Sequence, residues 1–156
     1  MIERASRHAT FVIERRFDAT PALVFSAWAR PEAKARWFSC HEAWESLEFR
    51  LDFRVGGQEV NRGRMRAGGP VHAFDGRYQD IVPDQRIIYS YDMHLDDKRI
   101  SVSLATVEFR PEGKACLLVF TEQGVFLDGF DSVAQREKGT QELLDSLTAE
   151  VKRLQS

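Results

Sequence analysis

The stretch Phe120–Asp131, FTEQGVFLDGFD, places a carboxylate among apolar residues. LLVF precedes it as the end of a strand, Gly124 interrupts it, and a helical pattern begins beyond. Strand alternation puts Glu122 on the same face as Leu118 and Phe120, and Phe126 lies near the same seam. If that face meets the interior, burial raises the carboxyl pKa. Glu122 then becomes an acid, or an anchor for a polar group on a ligand. Such a carboxylate needs a donor beside it, because an unpartnered buried charge is costly. The alternative is a twist or bulge at Gly124 that leaves Glu122 in water at the rim.

Tyrosines offer a second chemistry. Tyr89, Tyr91 and Met93 share one strand parity, and Tyr78 falls on the neighbouring strand. Facing inward, they make an aromatic wall with hydroxyl tips, suited to a flat hydrophobic ligand; for Tyr91 ordinary core packing is the preferred reading. Trp37, Phe38 and Trp44 flank a polar loop, with Trp37 reading as core and Trp44 as a lid. Asp52 and Arg54 stand two apart and read as an exposed ion pair, which contributes little. None of the histidines, His8, His41, His72 and His94, pairs at ligand spacing with another histidine or cysteine. Cys40-His41-Glu42 is a cluster of sequence neighbours, which rarely converge on one metal or orient as a nucleophile and base. The common nucleophile and nucleotide signatures are absent. No metal or cofactor is expected, and Glu122 is the one catalytic candidate.

These residues must be held by elements that the periodicity predicts. Thr10–Phe17 alternates as a half-buried strand, with Phe11, Ile13 and Phe17 on one face. Thr20 can cap a helix that Pro21 begins, and Pro31 ends it and starts a second short one. Strand-like segments then follow at spacings of about ten residues with turn residues between, the pattern of an antiparallel meander. In the first of them, Leu47, Phe49, Leu51 and Phe53 share a face. From about Gly129 to Leu154 the apolar positions Val133, Leu143, Leu144, Leu147, Val151 and Leu154 fall on one helical face with Thr140. The order is strand, two short helices, six strands and a long helix. A sheet of about seven strands must cover its apolar face, and the terminal helix is the partner long enough to do so. Sheet and helix diverge at the helix N-terminus, which favours a cavity there.

The chain has 156 residues, a 43% hydrophobic and 29% charged composition, and a net charge of −2. That fits one soluble domain spanning residues 1–156, with enough chain to bury a core without disulfides. The charge argues against a nucleic-acid partner, and Asn61–Arg66 reads as a solvated strand. No apolar run reaches membrane-span length, no secretory signal is evident, and the two cysteines give no disulfide framework; a cytoplasmic protein is expected. The segment Gln58–Arg66 reads as an edge strand through which a homodimer could form, although its arginines protect such an edge.

Five segments together resemble a known family: Arg16–Phe38 (RFDATPALVFSAWARPEAKARWF), Asp52–Gly57 (DFRVGG), Gly76–Tyr91 (GRYQDIVPDQRIIYSY), Val102–Phe126 (VSLATVEFRPEGKACLLVFTEQGVF) and Gly139–Leu147 (GTQELLDSL). Their order and spacing resemble the START-like, or SRPBCC, helix-grip proteins, and within them the AHSA-like branch, named for homology to the activator of a heat-shock-protein ATPase. The resemblance implies an α+β helix-grip fold: a curved antiparallel sheet wrapped around a long C-terminal helix, with an internal cavity. Proteins of this fold bind lipids or polyketides, catalyse reactions, or assist chaperones, so function must be argued from the site.

The expected function is binding of a small hydrophobic or aromatic molecule, lipid or polyketide-like, lined by Trp37, Trp44, Tyr78, Tyr89, Phe120, Glu122 and Phe126. The alternatives are an acid–base enzyme of cyclase or hydrolase type in the same cavity, with Glu122 within reach of a tyrosine or arginine, and a chaperone-associated interaction protein with a filled core.

Overall fold

The computed structural model describes residues 4–39 and 42–156; Cys40 and His41 of the cluster considered above lie outside them. The elements are β1 (Ser6–Phe17), α1 (Pro21–Ala29), α2 (Pro31–Phe38), β2 (Trp44–Leu51), β3 (Gln58–Met65), β4 (His72–Val82), β5 (Arg86–Leu95), β6 (Lys98–Glu112), β7 (Ala115–Leu127) and α3 (Val133–Gln155). The seven strands form one antiparallel sheet in the order β1-β7-β6-β5-β4-β3-β2. Strands β2 to β7 follow one another as hairpins, and β1 closes onto the free side of β7, with Phe11 opposite Glu122 and Ile13 opposite Phe120. This is the expected curved sheet with a long C-terminal helix.

Local chemistry sets the helix ends. The Thr20 hydroxyl accepts from the Leu23 amide at 3.2 Å, and Pro21 occupies the first turn of α1, where its missing N–H costs nothing. Ser132 caps α3 by accepting from the Gln135 amide at 3.2 Å, and Lys152 and Arg153 in its last turn complement the helix dipole. The helix begins at Val133, the first of its apolar positions and later than the expected start at about Gly129. Asp128 and Gly129 take φ of 56° and 73°, which turns the chain out of β7 before a helix can start. Leu144, Leu147 and Val151 of α3 join Phe11, Ile13, Phe17 and Leu118 of the sheet in one core. Each such side chain contributes about 1.5–3 kcal/mol by leaving water. No helix among the described residues is long and apolar enough to cross a membrane.

Two expectations about the first hairpin are corrected. Gln58–Arg66 is not an edge, because β3 is paired with β2 on one side and β4 on the other; the sheet edges are β1 and β2. The alternation of Leu47 with Phe49, Leu51 and Phe53 breaks at a register shift between Ser46 and Glu48, which leaves Leu47 41% exposed. Asp52 and Arg54 form an exposed pair at 2.7 Å. Gly57 sits in the turn beside them, where a Cβ would fall 2.0 Å from the Asp52 carbonyl oxygen.

Candidate functional site

Glu122 points from β7 into the interior and is 1% exposed. The Tyr91 hydroxyl, from β5, stands 2.9 and 2.8 Å from its two carboxylate oxygens and donates its one proton to them. Arg136, in the first turns of α3, supplies the cation. Its Nη1 lies 3.3 Å from Glu122 Oε2, 2.9 Å from the Tyr91 oxygen and 3.4 Å from Ser103 Oγ. Its Nη2 donates to Ser101 Oγ at 2.7 Å and to Asp131 Oδ2 at 2.9 Å. The guanidinium packs over the rings of Tyr91 and Phe126, at 5.6 and 5.3 Å. Strands β5, β6 and β7, the turn after β7 and the start of α3 therefore meet in one polar cluster.

Its electrostatics follow from burial. Loss of water raises the Glu122 carboxyl pKa above the usual range; the Arg136 charge and hydrogen bonds from Tyr91, Ser103 and Arg136 oppose that rise without cancelling it. The Tyr91 phenol is raised by burial and by the Glu122 charge, so it stays protonated and remains a donor. For Arg136, burial disfavours the cation, but Tyr91, Glu122 and Asp131 outweigh it, and the group stays charged.

This cluster forms one side of a cavity of about 850 Å³ between the sheet, the short helices and the N-terminal half of α3. Such a volume suits a small organic ligand. Trp37, Phe74, Tyr89 and Phe120 contribute aromatic wall, Met65 and Met93 adaptable thioethers, and Arg136, Thr140 and Leu144 the helical side. Trp44 is half-buried and lines the cavity with its ring 5.2 Å from that of His72. Gly63 makes that placement feasible, since a Cβ there would fall 2.1 Å from the Trp44 indole nitrogen.

Of the residues expected to line a cavity, the structure brings Trp37, Trp44, Tyr89, Phe120 and Glu122 together around this one. Trp37 is also core, donating its indole N–H to the Ala27 carbonyl at 2.8 Å. Tyr78 and Phe126 are not among the lining residues. Tyr78 packs edge-on against Phe53 at 5.0 Å and gives its hydroxyl to Glu59 at 2.5 Å. Phe126 is buried beneath Arg136. Tyr91, read as ordinary core, is part of the core and also lines the cavity and holds the carboxylate.

Sequence reasoning missed Arg136 and a second buried cluster. A signal for Arg136 was present: it precedes Thr140, Leu143 and Leu144 by four, seven and eight positions, so a cation sits on the apolar face of α3. In the second cluster Lys34 and Glu59, 1% and 2% exposed, pair at 3.0 Å. The Lys34 ammonium lies 5.1, 5.4 and 4.5 Å from the ring centres of Trp28, Trp37 and Phe38. Burial depresses its pKa, and the attraction of Glu59 offsets part of that. The pair stands outside the cavity lining and braces the aromatic wall. Among the described residues no group of three or more histidine, cysteine or acidic side chains could hold a metal ion.

The chain is similar to known proteins over nearly its whole length. The family model described as "Activator of Hsp90 ATPase homolog 1-like protein" matches residues 18–152. An uncharacterized protein from Rhizobium leguminosarum is 49% identical and superposes with a TM-score of 0.91, covering 97% of this chain and 99% of that one. A protein from Rhizobium loti is 46% identical with a TM-score of 0.86, covering 94% and 99%. The solution structure of an AHSA1-like protein from Aeromonas hydrophila shares the fold at 21% identity, with a TM-score of 0.69 and 94% of each chain covered. No curated protein matches. With the helix-grip architecture in place and the family model spanning most of its length, the chain belongs to the AHSA1-like family of SRPBCC proteins.

Proposed function

We propose that this protein binds a small, mainly apolar, aromatic-compatible molecule in the cavity between sheet and α3, with residues 1–156 acting as one binding domain. The observation that carries this reading is the cavity itself, whose aromatic walls end in a buried, hydrogen-bonded carboxylate. Trp37, Trp44, Tyr89 and Phe120 would supply contact area, and Glu122 would orient a polar group of the ligand. Open interior space supports ligand binding over docking to a chaperone, which needs a surface and no cavity.

Chemical-shift mapping with a labelled sample tests the assignment. Titration with a bound aromatic ligand should move the side-chain signals of Trp37, Trp44 and Tyr89 while leaving Tyr78 nearly unmoved. Shifts confined to the outer sheet face would contradict it.

A second reading rests on the raised pKa of Glu122 beside a tyrosine hydroxyl: acid–base catalysis on a ligand in the same cavity. It requires that Glu122→Gln abolish turnover of a bound compound while leaving its binding within a few-fold of the parent.

A further inference from the structure

Beside Glu122 the donors are spent, while the Trp28 indole N–H elsewhere in the lining has no acceptor among the described residues. Both terminal nitrogens of Arg136 are committed to protein groups: Nη1 to Tyr91, Ser103 and Glu122, and Nη2 to Ser101 and Asp131. The single Tyr91 proton goes to Glu122. A ligand carboxylate would find no open guanidinium fork, the arrangement by which arginine recognises such groups. The carboxylates, in contrast, have capacity left. Two carboxylate oxygens offer about four acceptor sites, and Glu122 receives one proton from Tyr91 and a long contact from Arg136.

Charge points the same way. Among the described lining residues, the carboxylates of Glu122 and Asp131 pair with the single guanidinium of Arg136, and Glu142 is exposed to solvent. His72, also in the lining, has its pKa lowered by burial and stays neutral at neutral pH. Two nearby ammonium groups lie outside the lining: Lys34 is neutralised by Glu59, and Lys98 rests 5.2 Å from the Phe130 ring centre. An incoming anion therefore meets Glu122 and Asp131 with Arg136 already engaged, and an incoming cation meets acceptors and aromatic faces. Aromatic rings attract a desolvated ammonium. Trp37 and Phe38, which line the cavity, already hold that of Lys34 from outside it.

Resting on the binding reading above, we infer that the cavity selects aromatic ligands that end in a protonated amine over those that end in a carboxylate, with Glu122 and Asp131 accepting from the ammonium. A bound ammonium opposes the effect of burial on Glu122 and holds that carboxyl ionised. It also offers three donors to the acceptor capacity left on Glu122.

Isothermal titration of the full chain at neutral pH, with tryptamine, tryptophol and indoleacetate and with naphthylethylamine, naphthylethanol and naphthylacetate, tests the inference. Within each set the apolar body is conserved and the end group changes from cation to neutral to anion. The amine should bind about tenfold or more tighter than the alcohol, and the carboxylate weakest, as a charge-assisted hydrogen bond implies. In Glu122→Gln, and separately in Asp131→Asn at the less buried position, the ratio of amine to alcohol affinity should fall toward one. Carboxylates binding as tightly as amines would overturn the inference and leave the binding reading standing. So would an amine preference that both variants retain in full, because it would then come from surface charge. Failure of all six compounds to bind would overturn the binding reading and this inference with it.

Discussion

The Tyr91 hydroxyl lies within 2.9 Å of both oxygens of Glu122, and the two side chains reach each other from β5 and β7 across β6. This contact makes the buried carboxylate tolerable. Tyr91→Phe removes the donor and keeps the ring. It should cost about 1.5–3 kcal/mol of stability, the range for a hydrogen bond to a charged group. The Glu122 pKa should also climb, since the Tyr91 bond pulls it down. Denaturant melts and carbon-detected carboxyl titration check the two effects.

Glu122 also gives stability a pH dependence of defined sign. Its folded pKa lies above the ordinary 4.5, so between 4.5 and the raised value the folded chain holds a proton that the unfolded chain has released. Stability from this group therefore falls as pH rises through that window. Below 4.5 both states are protonated, the slope vanishes and the contribution is at its full value. Plotted as wild type minus Glu122→Gln, unfolding free energy should decline across the window and then level off. A rising difference would contradict the assignment.

Lys34 and Glu59 should behave as a unit. Lys34→Met strands a buried carboxylate and should cost about 3–5 kcal/mol. Glu59→Gln keeps an acceptor for Tyr78 but strands the ammonium. The double variant should cost less than the two single losses added together, with a coupling of about 0.5–3 kcal/mol. A double-mutant cycle by chemical denaturation measures this, and strict additivity would refute the coupling.

Gly63 should be intolerant of a side chain for a reason that reaches the cavity. Gly63→Ala places a methyl group against the Trp44 indole and the Glu45 carbonyl. Overpacking of this kind costs about 1–3 kcal/mol. The indole must move, so the variant should also shift Trp44 fluorescence. Gly63→Ala combined with Trp44→Leu should recover part of the lost stability.

Much of the architecture was legible because it rests on local periodicity. Two-residue alternation marks the strands, Thr20 and Pro21 the first helix, and the apolar face from Val133 to Leu154 the last. Glu122 was legible as an inward-facing carboxylate for the same reason. Its partners were harder to see. Arg136 and Tyr91 come from different elements, and only the packing of α3 on the sheet brings them together. Lys34 and Glu59 escaped notice because each looks like a surface charge until α2 docks beside β3. Tyr78 shares its neighbours' pattern, yet a register shift between Tyr78 and Asp80 and the pull of Glu59 draw it out of the lining. The supposed edge at Gln58–Arg66 depended on which strands flank it, and pairing is a property of the whole sheet.

The most direct test of ligand binding is native mass spectrometry of the gently purified protein, followed by extraction and identification of what it carries. The expected result is a bound small molecule with an apolar aromatic body, retained by the parent chain and reduced in a variant that fills the cavity, such as Thr140→Phe. An empty protein that no compound in a panel of aromatic amines, alcohols, acids and lipids stabilises would contradict it.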